Sequence, residues 1–103
     1  MDRRLIFYDF EVFAYDWLVV LCEYSTRKGK VIINDREMLR KYYNYFKNDI
    51  WIGFNTRNYD QYILKGILLG YDPWYISKEI VENNKKGYQI IPNAYEIKLY
   101  NFD

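Results

Sequence analysis

LIFYDFEVF, residues 5–13, is an apolar stretch that carries two carboxylates, Asp9 and Glu11, two positions apart. The remaining aliphatic and aromatic residues are typical of a buried strand. Because side chains alternate between the two faces of a strand, Asp9 and Glu11 point the same way, with Cα atoms about 6.5 Å apart. Burying unpaired like charges costs several kcal/mol. A cation between the two carboxylates would remove that cost, so the stretch predicts a strand with a cation site.

The first half of the chain reads as three strands, predicted over 4–12, 16–24 and 30–34. The connectors are short, which predicts an antiparallel meander. The second segment, WLVVLCEY, is almost continuously apolar, as in a strand that is covered on both faces.

Helical periodicity begins after residue 34, with Asn34 or Asp35 as the N-cap. Gly70 is a plausible end for a second helix, and Asp72 followed by Pro73 predicts the start of a third. The predicted elements of this half are a helix of about three turns after residue 35, a strand over 49–54, a helix from Tyr59 to Gly70, a shorter helix from Pro73, and a strand over 95–102.

The resulting order β-β-β-α-β-α-α-β predicts an α/β fold with a mixed sheet, in which the fourth strand runs parallel to the first. A chain of 103 residues has the length of one domain, so we assign residues 1–103 to a single domain. Ligands of such sheets bind beyond the carboxyl ends of the parallel strands.

Composition excludes several classes of function. The chain has no histidine, which removes the usual zinc ligand and the Ser-His and Cys-His mechanisms. The single cysteine, Cys22, cannot form an internal disulfide and fits a reducing cytoplasm. No apolar run approaches the length of a membrane span, so we expect no membrane association. The net charge of +1 gives no strong indication of a polyanionic partner.

A second informative stretch, WIGFNTRNYDQYIL, covers residues 51–64. Asn55 follows the fourth predicted strand, and Asp60 opens the second helix. If that strand lies beside the first, Asp60 can face Asp9 and Glu11. Three carboxylates without histidine or a second cysteine favour hard cations such as Mg²⁺ or Mn²⁺. Alone, Asp60 could equally be a first-turn carboxylate favoured by the helix dipole.

YDFE followed by GFNTRNYD resembles the first two motifs of the DEDD (DnaQ-like, ribonuclease H-like) 3′–5′ exonucleases, above all the proofreading domain of phage-type DNA polymerases. The resemblance implies a ribonuclease H-like sheet and two-metal phosphodiester hydrolysis, with metal ions about 3.5–4 Å apart. It assigns catalysis and metal binding to Asp9, Glu11 and Asp60. It assigns the groove around the 3′-terminal nucleotide to Asn55, Tyr59, Phe10 and Arg57.

The chain departs from this family in one respect. The family has a third motif, Tyr-x-x-x-Asp or His-x-x-x-x-Asp, on a later helix, and here the sequence ends at YNFD. Tyr45 and Asp49 fit the spacing but precede the second motif, so we interpret them as a chance match. The resemblance therefore covers the N-terminal half of such a domain, which would be catalytically incomplete.

Two functions from different classes remain open. The chain is either part of a phage polymerase exonuclease domain, acting on a single-stranded DNA 3′ end, or a small phage protein in the host-cell cytoplasm that acts by binding, for example as an inhibitor of a host defence nuclease. A truncated sheet exposes an edge and apolar surface, which predicts a homo-oligomer or a heteromeric complex. Basic and aromatic residues elsewhere could hold single-stranded nucleic acid or a protein partner, namely Arg57, Trp74, Tyr75, Lys85 and Lys86.

Overall fold

The computed structural model describes residues 3–55 and 58–102 of the chain. Its elements are β1 (Leu5–Val12), β2 (Trp17–Glu23), β3 (Gly29–Ile33), α1 (Arg36–Phe46), β4 (Ile50–Gly53), α2 (Tyr59–Leu69), α3 (Pro73–Val81), α4 (Gly87–Ile90), a 3₁₀ turn (Ala94–Glu96) and β5 (Tyr100–Phe102). No helix in the described ranges is long and apolar enough to cross a membrane.

The five strands form one mixed sheet in the order β3-β2-β1-β4-β5. The first three strands pair antiparallel, and β4 pairs parallel with β1, which confirms the predicted meander and crossover. Tyr8 lies opposite Gly53 in the β1–β4 register. The residues after these two positions therefore emerge together at the carboxyl ends of both strands.

Local sequence explains where the helices begin and end. The Asp35 carboxylate accepts a hydrogen bond from the Met38 N–H at the start of α1. Asp72 caps α3 in the same way, and Pro73 occupies its first turn, where a missing N–H costs nothing. Gly70 ends α2 with a φ of 93°, a conformation that glycine adopts without strain. All three predicted helix boundaries are confirmed.

The helices pack on one face of the sheet. Alternate residues of the central strand, Ile6, Tyr8 and Phe10, belong to the buried core together with Trp51 of β4. In the described residues, that core contains no strand side chain from the opposite face. Val20 on that opposite face is 42 % exposed, so the prediction that β2 is covered on both faces is wrong. We name this surface the open face; its apolar members include Leu5, Phe7, Val20, Val31, Ile52 and Phe102.

The C-terminal tail differs from the predicted strand over 95–102. Only Tyr100–Phe102 pair with β4, whereas Ala94–Glu96 form a 3₁₀ turn. The turn places Ala94 and Ile97 in the core next to α2, and an extended backbone could not bury both residues there. Burial of these two side chains overrides the strand propensity of the segment.

Candidate active-site cleft

A cleft of about 560 Å³ opens at the carboxyl end of β1, beside α2 and α3. Asp9 and Glu11 line it from the strand, and Asn55 and Tyr59 line it from the β4–α2 connection and the first turn of α2. Four residues that the sequence predicted as site residues thus share one cleft. Its far wall is apolar and consists of Ile80 and Val81 at the end of α3. We call this site the acidic cleft.

Asp60 lies beneath the acidic cleft and is only 2 % exposed. Its Oδ1 accepts a hydrogen bond from the Phe10 N–H at 2.9 Å. Its Oδ2 accepts from the N–H groups of Phe54 and Asn55, at 3.2 and 3.3 Å. One carboxylate therefore joins the end of β1, the end of β4 and the start of α2, which fixes the geometry of the site.

Asn55 connects this buried carboxylate to the strand motif. Its side-chain amide donates to Asp9 Oδ1 at 3.3 Å and to both oxygens of Asp60 at 3.2 and 3.3 Å. The NH₂ group thus lies between two carboxylates that belong to different motifs. Since like charges this close repel, a shared donor lowers the cost of the arrangement.

Burial raises the pKa of Asp60, while the hydrogen bonds from Phe10 and Asn55 act in the opposite direction without cancelling it. Burial also raises the pKa of Tyr59, and the nearby charges of Asp60, Glu11 and Asp9 add to that rise. The Tyr59 hydroxyl is 2.8 Å from Ser77 Oγ on α3, so it stays protonated and held at the cleft wall. The site concentrates negative charge.

The remaining predicted residues are placed differently. Glu11 is exposed on the rim of the cleft. The Phe10 ring is 3 % exposed and packs against Tyr8 and Trp17 in the core. A ring this buried offers no face to a nucleotide, so the assignment of Phe10 to nucleic-acid contact is corrected: its contribution is the N–H bonded to Asp60. Arg57 lies outside the described residues.

Gly53 is a site residue that sequence reasoning missed. A Cβ on Gly53 would lie 2.9 Å from Asp60 Oδ2, closer than the carboxylate tolerates. A glycine inside a predicted strand is itself a signal of close approach, which could have identified the position. Ser77, which holds Tyr59, carried no comparable signal.

The metal assignment remains a prediction. In the described parts of the chain, no three His, Cys, Asp or Glu side chains are placed to hold a metal ion together. Asp9 and Glu11 still fit one hydrated ion, since Mg²⁺ commonly uses one or two carboxylates and completes its shell with water and phosphate oxygens. Asp60 would have to release a backbone N–H before it could coordinate an ion directly.

The other match to a family spacing, Tyr45 with Asp49, lies at the opposite end of the strands. Asp49 precedes β4 and accepts hydrogen bonds from the Arg4 N–H at 2.9 Å and from Arg4 Nε at 3.1 Å. Its carboxylate belongs to an ion pair far along the strand from Asp9. This placement agrees with the interpretation of Tyr45 and Asp49 as a chance match.

Comparison of the chain with protein-family models, with curated proteins and with solved structures gave no match. The resemblance to DEDD exonucleases therefore rests on the two motifs and on the position of their residues in the acidic cleft.

Proposed function

We propose that the chain forms the N-terminal part of a DEDD-type 3′–5′ exonuclease domain with a ribonuclease H-like sheet. Asp9 and Glu11 bind a divalent cation, and the acidic cleft receives the 3′ end of a single DNA strand. The part described by this sequence is catalytically incomplete, because the third motif of the family is absent.

The observation that carries the proposal is the Asn55 amide, which contacts Asp9 and Asp60 together. The two motifs are separated by more than 40 residues, and the parallel pairing of β1 and β4 brings them to one cleft. A polar face of a strand without function would not need a second motif beside it. The strand order β3-β2-β1-β4-β5, with only β2 antiparallel to its neighbours, is compatible with the ribonuclease H-like assignment.

Residues of the cleft fit a metal-assisted reaction in specific ways. A bound Mg²⁺ or Mn²⁺ would supply an activated water and stabilise charge on the leaving oxygen. Asp9 and Glu11 would hold the ion, while Asn55 keeps the Asp9 carboxylate in position. Tyr59, protonated and fixed by Ser77, would offer a polar edge to the terminal sugar and phosphate. Ile80 and Val81 would provide an apolar wall for the base.

The test is binding of a 3′-fluorescein-labelled single-stranded DNA, measured by anisotropy with Mn²⁺ and with EDTA. We expect Mn²⁺ to tighten binding by the wild type and to have no effect on the Asp9→Ala/Glu11→Ala variant. A matched control is Asp16→Ala/Glu37→Ala, which removes two carboxylates outside the cleft. Equal affinity of the wild type with and without Mn²⁺ would overturn the proposal.

A degradation assay on the same DNA with Mn²⁺ separates a working site from a binding site. We expect at most slow hydrolysis by the wild type and none by Asp9→Ala/Glu11→Ala. Fast degradation that persists in the double variant would show a different active site.

A second candidate function, binding to a protein, is favoured by the open face. Its apolar side chains lie on the central strands β1, β2 and β4 and continue to both edges, where Val31 and Phe102 are 52 % and 64 % exposed. An apolar surface that spans a whole sheet marks an interaction site. A small phage protein with this surface could inhibit a host defence nuclease by occupying its partner surface.

Light scattering tests this second function. We expect a dimer, or a complex with a partner, and dissociation to a monomer when Val20→Lys places a charge in the middle of the open face. Tyr95→Lys changes an exposed aromatic residue outside the sheet and serves as the control. A wild-type monomer at high concentration would contradict the expectation.

A further inference from the structure

A second cleft, of about 360 Å³, lies on the other side of the first turn of α2. It is lined by Asn58 and Tyr62 of the α2 region and by the segment between α3 and α4, where Asn84, Lys85, Lys86 and Tyr88 contribute. We call it the basic cleft. No carboxylate is among its lining residues, whereas two line the acidic cleft.

The charge of the basic cleft comes mainly from Lys86. Lys85 Nζ is 2.7 Å from Glu79 Oε2, so its charge is largely offset. Within the described ranges Lys86 forms no ion pair. Lys65 adds charge from below, since its Nζ lies 5.9 Å from the centre of the Tyr62 ring. A cleft with an uncompensated lysine suits an anion.

Aromatic surface completes the cleft. The Tyr62 ring packs so closely on Gly87 that a Cβ there would overlap it, which fixes the ring as one wall. Tyr88 is 60 % exposed beside it. An exposed aromatic ring next to a lysine is the combination that binds single-stranded nucleic acid, because bases stack on the ring while the cation contacts phosphate.

The two clefts are neighbours in the chain as well as in space. Asn58 lines the basic cleft and Tyr59, the next residue, lines the acidic cleft. Their Cα atoms are about 3.8 Å apart, less than the size of one nucleotide. A strand whose end occupies the acidic cleft therefore passes the basic cleft with its preceding nucleotides.

We propose that the basic cleft binds the single DNA strand one or two nucleotides before its 3′ end, with Lys86 on a phosphate and Tyr88 stacked on a base. This inference rests on the proposed function for the direction of the strand. The phosphodiester recognition itself requires neither metal nor catalysis. The two proposals can therefore fail separately.

The experiment is anisotropy of a fluorescein-labelled oligothymidylate in EDTA at several salt concentrations. We expect Lys86→Gln to weaken binding and to reduce the slope of log K against log salt by about 0.7, as for one lost phosphate contact on a single strand. Tyr88→Ala should weaken binding about five-fold or more, as for one lost stacked base. The controls are Lys41→Gln on α1 and Tyr95→Ala, which make the same chemical changes outside both clefts.

Inorganic phosphate as competitor distinguishes a strand site from a simple anion site. We expect phosphate to displace the oligonucleotide far less effectively than the same concentration of phosphate groups in unlabelled oligothymidylate. Equal competition would overturn the proposal, and so would Lys86→Gln and Tyr88→Ala variants that bind like their controls. If both variants lose affinity in EDTA while Mn²⁺ has no effect on the wild type, the basic cleft stands and the metal-dependent function fails.

Discussion

Two buried aspartates lie at opposite ends of the same pair of parallel strands. Asp49, 7 % exposed, precedes β4 and meets the guanidinium of Arg4 at 3.0 Å. Asp60, 2 % exposed, follows β4 and meets only N–H groups, together with the nearby Asp9. At one end the charge is neutralised by a cation of the chain itself. At the other end, the described residues supply none.

This difference separates structural from functional charge. A buried carboxylate with an arginine is a complete unit and requires nothing further. Two carboxylates that share one amide retain net negative charge at the mouth of a cleft, which is a cost to stability that a bound cation would remove. Perturbed groups in clefts are candidates for function on this ground.

The largest expected effect is that of Asp60→Ala. Three backbone N–H groups lose their acceptor, two of them at strand ends, and each buried unsatisfied donor costs about 1–3 kcal/mol. We expect the free energy of unfolding to fall by about 3 kcal/mol or more, measured by urea denaturation. Asp49→Ala should cost less, because Arg4 is more than a third exposed and can turn to water. A smaller loss for Asp60→Ala than for Asp49→Ala would contradict this account.

Gly53→Ala should come second. The new Cβ meets Asp60 Oδ2 at 2.9 Å, so the carboxylate must move away from its donors. Overpacking of this kind costs about 1–3 kcal/mol. Gly29→Ala is the matched control in an edge strand, where the nearest atom is the Leu21 carbonyl oxygen at 3.3 Å. Equal midpoints of urea denaturation for both variants would show that the contact with Asp60 carries no strain.

Asn55→Ala should have a moderate effect. It removes the donor between Asp9 and Asp60, for which we expect a loss of about 1 kcal/mol. A double-mutant cycle with Asp9→Ala sharpens the test, because without Asp9 there is less repulsion for the amide to relieve. Additive losses would mean that the bridge between the two carboxylates has no energetic role.

Lys65→Met should have the smallest effect and the opposite sign. Burial lowers the pKa of Lys65 in the folded chain below its ordinary 10.5, so the unfolded chain binds more protons between the two values. Stability of the wild type therefore rises with pH across that window, and the variant should lack this rise. At neutral pH we expect a gain of up to about 1 kcal/mol. An identical pH profile of unfolding for both proteins would refute the assignment.

Sequence alone predicted most of the elements that build the acidic cleft. Alternation in LIFYDFEVF and the glycine after the apolar core of 51–54 placed β1 and β4, and the first turn of α2 placed Asp60. Their adjacency followed from the order of strands and helices. The hydrogen bonds of Asp60 did not follow, because a helix-dipole carboxylate and a metal ligand have the same sequence pattern.

Other parts of the structure depend on contacts that local patterns do not contain. The apolar sequence of β2 suits a strand covered on both faces, yet the helices of the described residues all pack on one. The 3₁₀ turn at Ala94–Glu96 arises from burial against α2. The basic cleft joins residues from two helical regions, so only the three-dimensional arrangement brings Tyr62 and Tyr88 together.

Calorimetric titration with Mn²⁺ tests the central claim most directly, namely that the Asp9–Asp60 end of the strands holds a cation and the Asp49 end does not. We predict weak binding heat for the wild type, loss of that heat in Asp9→Ala, and unchanged heat in Asp49→Asn. No heat in the wild type, or the same heat in Asp9→Ala, would contradict the account.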